Sequence, residues 1–173
     1  MNGRSMIDRD GAIELVRRAI DRYALVGPEY AEARFEQPRI VQYLGVEDEA
    51  YFLVPLRWPD GSVLVGRVDA HQPTYLGAQL RPPEPIRADA RYYLAQPSEV
   101  EEWIRAGHFT FPARTAERRA PEYGVREELA WRPCQESRSP YYPFYQVTSG
   151  GETVGYVGYD RKPYTALHDL LGG

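Results

Sequence analysis

Two stretches of this chain have the pattern of an antiparallel β-hairpin, and that pattern constrains the fold more than any other feature. In the first, apolar runs at residues 51–58 and 62–68 flank an Asp-Gly turn. In the second, Tyr-rich runs at 141–147 and 153–159 flank a Gly-Gly turn. Short apolar runs joined by such dipeptides are typical of hairpins. We therefore expect antiparallel sheet in both halves of the chain.

An amphipathic helix is predicted before the first hairpin, over residues 10–25. Ile13, Val16 and Ile20 recur at the three- and four-residue spacing of one helix face, and Arg and Asp residues fill the opposite face. A helix of this kind is stabilised by packing its apolar face on another element. The predicted class is α+β, with this N-terminal helix packed on one face of antiparallel sheet.

A second, shorter helix is predicted to begin at Pro97. Ser98 and Glu101 have the spacing of a capping box, in which each side chain bonds the other residue's backbone amide. Pro55 lies inside a predicted strand and lacks an amide hydrogen, so that strand is expected to lie at a sheet edge or to be bulged at Pro55.

A proline-rich stretch, residues 81–85, divides the chain. Such a segment is stiff and poor in hydrogen-bond donors, which is typical of a linker. We expect residues 1–80 to form the N-terminal helix with a β-meander, and residues 86–173 to form a second α+β unit. The linker is expected to join them into one compact body.

The two predicted hairpins resemble each other. Each return strand contains a Gly-x-Val sequence, Gly66 to Val68 in the first and Gly155 to Val157 in the second, followed by an Asp and then a Pro. Recurrence of this kind indicates two similar β-hairpin units. It arises either from a duplication or from the general similarity of β-meanders with Gly and Pro turns.

The order of helix, hairpin, Asp-containing turn and closing strand resembles that of PepSY-like domains, in tandem. The segment 65–70, Val-Gly-Arg-Val-Asp-Ala, is similar to a strand end of that family, although His71-Gln-Pro73 replaces the expected Gly turn. The resemblance covers about half of the chain. It implies peptidase-inhibitory, regulatory or peptide-binding roles instead of catalysis.

Composition excludes several classes of protein. Cys134 is the only cysteine, so an internal disulfide framework is excluded. The first residues lack the apolar run of a signal peptide, and no stretch approaches the roughly 18 apolar residues of a membrane span. A cytoplasmic protein without a membrane partner is predicted. The net charge of -4, with Arg and acidic residues interleaved, argues against a nucleic-acid partner.

No metal or cofactor is predicted. His71, His108 and His168 show no metal-ligand spacing, and Cys134 has no second cysteine near it. The Gly-Gly pair lies between strands and opens no helix, so it lacks the amide-bearing helix start that binds phosphate.

Residues 131–145 are the most unusual part of the chain, because they combine Arg, Trp, Tyr and Pro. These aromatic and Arg residue types dominate binding hot spots, and Pro lowers the entropy lost on binding. We expect these rings to be partly exposed. The predicted binding residues are Trp131, Arg132, Glu136, Arg138, Tyr141, Tyr142 and Tyr145. Alternatively, the aromatic residues favour strands, and Arg132 and Arg138 pair with Glu136 or with the Glu127-Glu128 run.

The sequence therefore predicts a non-enzymatic peptide- or protein-binding or regulatory module, and it is compatible with a homo-oligomer. The alternative is a small Cys-dependent hydrolase or transferase that uses Cys134 with a histidine. Arg132 and Arg138 would then lower the pKa of the Cys134 thiol. A bystanding thiol and a purely structural subunit are further alternatives, and the sequence does not identify a ligand.

Overall fold

The computed structural model of the protein describes residues 5–81, 94–109, 111 and 122–170. These ranges contain two α-helices, a short 3-10 helix and nine strands. The predicted α+β class with mostly antiparallel strands is confirmed. The chain divides into two compact units, residues 1–42 with 46–91 and residues 43–45 with 92–173. Neither helix in the described ranges is long and apolar enough to cross a membrane.

The first unit begins with a helix and continues with strands. Its elements are α1 (Arg9–Tyr23), the 3-10 helix (Pro28–Glu32), β1 (Arg34–Phe35), β2 (Arg39–Tyr43), β3 (Ala50–Arg57), β4 (Val63–Asp69) and β5 (Tyr75–Arg81). The strand order is β5-β4-β3-β2, and β1 also pairs with β3. α1 is capped by Asp8, whose carboxylate accepts a hydrogen bond of 2.7 Å from the amide of Gly11.

The core of the first unit contains one face of α1. Val16 and Ile20 are buried in a cluster with Phe52 of β3 and Leu64 of β4. A Cβ added at Gly66 would lie 2.4 Å from Cγ2 of Val16. Because that distance is far below van der Waals contact, this close approach requires a residue without a side chain on β4.

Pro55 does not mark a sheet edge, so that alternative is wrong, but it lies where the pairing of β3 passes from β1 to β2 with a change of register. β3 lies between β4 and the β1–β2 region, and Pro55 pairs with Val65 of β4. The Pro55 carbonyl accepts a 2.9 Å hydrogen bond from the amide of Glu36, in the connection between β1 and β2. In an antiparallel ladder the nitrogen and carbonyl of one residue point to the same side. The missing donor therefore faces this connection and not β4.

The second unit contains a helix and four strands. Its elements are α2 (Pro97–Arg105), β6 (Tyr123–Trp131), β7 (Phe144–Ser149), β8 (Glu152–Val157) and β9 (Pro163–Tyr164), in the strand order β6-β7-β8-β9. Gly150 and Gly151 have φ of +60° and +84° and form the two-residue turn between β7 and β8. β7 begins at Phe144 instead of residue 141. The predicted linker lies outside the described residues, apart from Arg81.

The capping box of α2 differs from the predicted pair. Gln96 is the cap and Glu99 its partner; the Glu99 carboxylate accepts a 2.7 Å hydrogen bond from the Gln96 amide. The box begins two residues earlier than predicted because Pro97, with its fixed φ, occupies the first turn. Glu101, the predicted partner, instead accepts a 3.0 Å hydrogen bond from the amide of Val125 on β6.

Candidate functional site

Two segments of the second unit form the candidate site. The β6–β7 loop (residues 132–143) connects Trp131 at the end of β6 with Phe144 at the start of β7. The C-terminal segment (residues 165–170) follows β9 and contains no helix or strand. The two segments are joined by hydrogen bonds and ion pairs.

The loop is built around Ser137, which is buried. Its hydroxyl accepts a 3.3 Å hydrogen bond from the indole of Trp131 and lies 2.7 Å from the carbonyl of Tyr142, to which it donates. The Ser137 carbonyl accepts a 3.1 Å hydrogen bond from the amide of Cys134. Ser137 thus links the start and the end of the loop. Its role was not predicted, because a serine in a polar loop shows no local sign of burial.

Trp131 and Tyr145 do not face solvent, so the prediction of exposed rings is wrong for both. Their exposed fractions are 7% and 3%. The Trp131 ring packs edge-on against Tyr43, with 5.8 Å between centroids, and the Tyr145 hydroxyl donates a 2.9 Å hydrogen bond to the carbonyl of Ala95. Burial is favoured because each ring carries a large apolar area and its polar atom has a partner. These two buried residues anchor the strands on either side of the loop in the core.

The remaining predicted aromatic residues and Arg138 lie at the surface. Tyr141 and Tyr142 are half-buried, and Arg138 is exposed with no hydrogen-bond or ion-pair partner among the described residues. The Tyr142 ring packs against Tyr159, with 4.3 Å between centroids, and Tyr159 is 41% exposed. We call Arg138, Tyr141, Tyr142 and Tyr159 the loop face. Tyr159 was not among the predicted site residues, because its contact with Tyr142 is made by the fold.

Three other loop residues, Arg132, Gln135 and Glu136, bind the main chain of the C-terminal segment. The amide of Gln135 donates a 2.9 Å hydrogen bond to the carbonyl of His168, and its side-chain amide donates one of 3.0 Å to the carbonyl of Asp169. The carboxylate of Glu136 accepts a 3.0 Å hydrogen bond from the amide of His168. Three successive peptide groups of the segment are thus contacted, counting the carbonyl of Leu167, which accepts from Arg132.

Charged side chains add to these main-chain contacts. Arg132 pairs with the carboxylate of Asp169 at 2.5 Å. The Glu136 carboxylate lies 2.6 Å from Nδ1 of His168. Since a carboxylate accepts only, Nδ1 must carry the hydrogen. The predicted pairing of Arg132 with Glu136 is therefore wrong; the two side chains contact different residues of the C-terminal segment. Gln135, His168 and Asp169 were missed, because the pairing is long-range.

Glu136 is held ionised by this arrangement. Its side chain is only 10% exposed, and burial by itself would raise its pKa. The hydrogen bonds from the ring and the amide of His168 outweigh burial and hold the pKa of Glu136 below its usual value.

Cys134 is fully buried, and its surroundings oppose the thiolate. Burial raises the pKa of the thiol, and the neighbouring Glu136 carboxylate raises it further. The thiol lies 3.6 Å from the carbonyl of Ser137, to which it donates. The predicted lowering of this pKa by Arg132 and Arg138 is wrong. Among the described residues no hydrogen bond joins Cys134 to a histidine, since His168 contacts Glu136 instead.

Each contact that holds the C-terminal segment contributes little free energy. Each of its hydrogen bonds contributes about 1 kcal/mol, and an exposed ion pair contributes about 0 to 1 kcal/mol. Fixing the backbone of each residue costs about 1 to 2 kcal/mol. Little apolar burial adds to the balance, because Leu170 is exposed and the Asp169 side chain is 85% exposed. The segment is therefore held mainly by these polar contacts.

No group of three or more His, Cys, Asp or Glu side chains in the described ranges is placed to hold a metal ion. No protein-family model, curated protein or solved structure matches the chain significantly. What the site does is therefore inferred from its own geometry.

Proposed function

We propose that the protein is a non-enzymatic module that binds a peptide or a peptide-like segment of a protein through the β6–β7 loop. One observation carries this proposal: the loop already holds a non-helical segment of its own chain by the main-chain atoms of Leu167, His168 and Asp169. Main-chain contacts supply affinity for peptides in general, and side-chain contacts supply selectivity.

The loop face gives the proposal a second support. Tyr and Arg are the residue types that contribute most to binding when they lie on a rigid surface. Here the buried Ser137 hydroxyl orders the loop by its hydrogen bonds with Trp131 and Tyr142. A loop that is ordered before binding loses less entropy when a partner binds.

The Cys-dependent hydrolase or transferase has less support from the geometry. A nucleophilic thiol needs access to substrate, a base within reach and a lowered pKa. Cys134 is buried and its pKa is raised. The binding module is therefore the better interpretation of the same loop.

Other features remain predictions from the sequence. The PepSY-like resemblance would add a peptidase-inhibitory or regulatory role to the binding function. A cytoplasmic location, a homo-oligomer and the exclusion of nucleic-acid and membrane partners stay open to experiment.

We also propose that the two hairpins are copies of one unit. In β3–β4, Val54 pairs with Gly66, and in β7–β8, Val147 pairs with Gly155. The space at each glycine is filled from outside the hairpin. A Cβ at Gly66 would lie 2.4 Å from Val16, and one at Gly155 would lie 2.4 Å from Phe111. A shared glycine with a shared packing role supports a duplication.

A peptide library displayed on phage tests the binding function. We expect the purified protein to select peptides, and Arg138→Ala and Tyr141→Ala to weaken the selected peptide at least tenfold without changing the melting temperature. Arg126→Ala and Tyr23→Ala serve as matched controls, because both side chains are exposed outside the loop. Selected peptides that bind all four variants equally would refute this site.

A further inference from the structure

The C-terminal segment occupies the part of the β6–β7 loop formed by Arg132, Gln135 and Glu136. Building on that function, we infer that residues 166–170 are a built-in competitor. The external ligand is then a linear peptide of the same chemistry: an apolar residue, a residue with a side-chain donor, and an acidic residue, as in Leu167, His168 and Asp169.

The main-chain contacts make this exchange chemically simple. Arg132 binds the carbonyl of Leu167, and Gln135 binds the carbonyls of His168 and Asp169. Every peptide carries these carbonyl groups. Another chain can therefore take the same position without any change in the loop.

The side-chain contacts define which peptides fit. The guanidinium of Arg132 faces the Asp169 carboxylate, so the ligand needs an acidic residue there. The Glu136 carboxylate accepts from both the amide and the ring of His168, so the preceding residue needs a free amide and a side-chain donor. Reversing the charge at the acidic position places a cation against Arg132, which disfavours binding.

The tether explains why the segment competes well despite its weak contacts. A segment joined to its site by a short connection has an effective concentration in the millimolar range. The apparent affinity for an external peptide falls in proportion to the fraction of open molecules. Opening the segment should therefore raise the apparent affinity for an external peptide.

The test uses the full chain with His168→Pro and Asp169→Ala together. Proline removes both the amide and the imidazole that Glu136 accepts from, and alanine removes the carboxylate that Arg132 binds. The probe is a fluorescein-labelled peptide with the sequence of residues 164–170. The fluorescein is attached to the N-terminal amine and the C-terminus is amidated, so that no terminal charge replaces that of Asp169. Binding is followed by fluorescence anisotropy.

We expect the opened variant to bind the probe at least tenfold more tightly than the wild-type protein does. Leu170→Ala, in an exposed residue of the same segment, should behave like the wild type. A probe with Lys at the Asp169 position should bind at least tenfold more weakly. Adding Arg132→Ala or Glu136→Gln to the opened variant should reduce binding by a similar factor.

Equal affinity of the wild-type and opened proteins, or no binding to either, would overturn the inference. If circular dichroism shows that the opened variant is unfolded, Asp169→Lys in the full chain opens the segment by repulsion from Arg132 and carries the same expectation. A wild-type dimer that the opened variant lacks would place the segment on a second copy, which also overturns it. The proposed function is judged separately, since library peptides that need Arg138 and Tyr141 would uphold it even then.

Discussion

Trp131 and Tyr145 differ from Tyr141 and Tyr142 in where they lie, although all four belong to one short aromatic stretch. The first two are buried, and their polar atoms bond Ser137 and the carbonyl of Ala95. The second two lie half-buried on the loop. Aromatic content therefore identifies a region but not a surface. The two rings on strands enter the core, whereas the two rings on the loop stay at the surface.

Alanine substitutions should separate the two pairs most strongly. Trp131→Ala and Tyr145→Ala should lower the free energy of unfolding by about 3 to 5 kcal/mol, because each leaves a large cavity. Tyr141→Ala should change it by about 0.5 kcal/mol, as is usual for surface sites. Urea denaturation measures all three. A loss at Tyr141 as large as that at Tyr145 would place Tyr141 in the core and remove it from the loop face.

Labelling of Cys134 compares the buried side of the loop with its exposed side. Because the thiol is inaccessible, iodoacetamide should react only through local opening, at least 100-fold more slowly than in the urea-unfolded protein. Arg138→Cys, on the exposed side, provides a control thiol in a Cys134→Ala background. Rapid labelling of native Cys134 near neutral pH would contradict its burial and would support the hypothesis that it is a nucleophile.

Ser137→Ala tests whether the loop is fixed from its core side. The substitution leaves the Trp131 indole without its acceptor, and an unsatisfied buried donor costs about 1 to 3 kcal/mol. Ser98→Ala, exposed on α2, is the matched control and should have little effect. Thermal unfolding of both variants gives the comparison. Equal melting temperatures would mean that Ser137 does not organise the loop.

Part of this architecture was predictable because its signals are local. α1 and the turns of both hairpins follow from apolar spacing and turn residues. β6 was missed, since Arg126, Glu127 and Glu128 interrupt its pattern. The register explains this: Val125 pairs with Val147, whereas Leu129 pairs with Tyr145, so the charged residues fall at an irregularity in the ladder.

The site was less predictable than the fold. The sequence predicted Arg132, Glu136, Arg138, Tyr141 and Tyr142 as binding residues, together with Trp131 and Tyr145. Its alternative interpretation paired Arg132 with Glu136 or with the Glu127-Glu128 run. Its observed partner, Asp169, is brought to the loop by the chain after β9. No periodicity or motif signals a contact between an irregular loop and an irregular C-terminal segment. The burial of Ser137 is likewise a result of tertiary packing.

The pH dependence of segment attachment should be the smallest effect. Attachment holds the pKa of Glu136 below its ordinary value of about 4.3. A lowered pKa favours the attached state above that value, and this contribution is lost as the pH falls through the lowered pKa. The amide of Gln135 donates a hydrogen bond to the carbonyl of His168 only while the segment is attached. Its signal in nuclear magnetic resonance spectra should therefore move toward that of an unbonded amide as the pH falls below about 4.3.

Glu136→Gln provides the control for this titration. The variant should lose the part of the transition that belongs to Glu136. Circular dichroism at each pH distinguishes release of the segment from unfolding. A transition that is identical in the variant and the wild type would exclude Glu136 as its cause.

The central claim is that the β6–β7 loop is a preformed peptide-binding surface, and mapping a selected peptide onto amide resonances tests it most directly. Titration of the ¹⁵N-labelled protein should shift signals of residues 132–142, of Tyr159 and of residues 165–170. Shifts confined to α1 and strands β3 to β5, with the loop unchanged, would contradict the account.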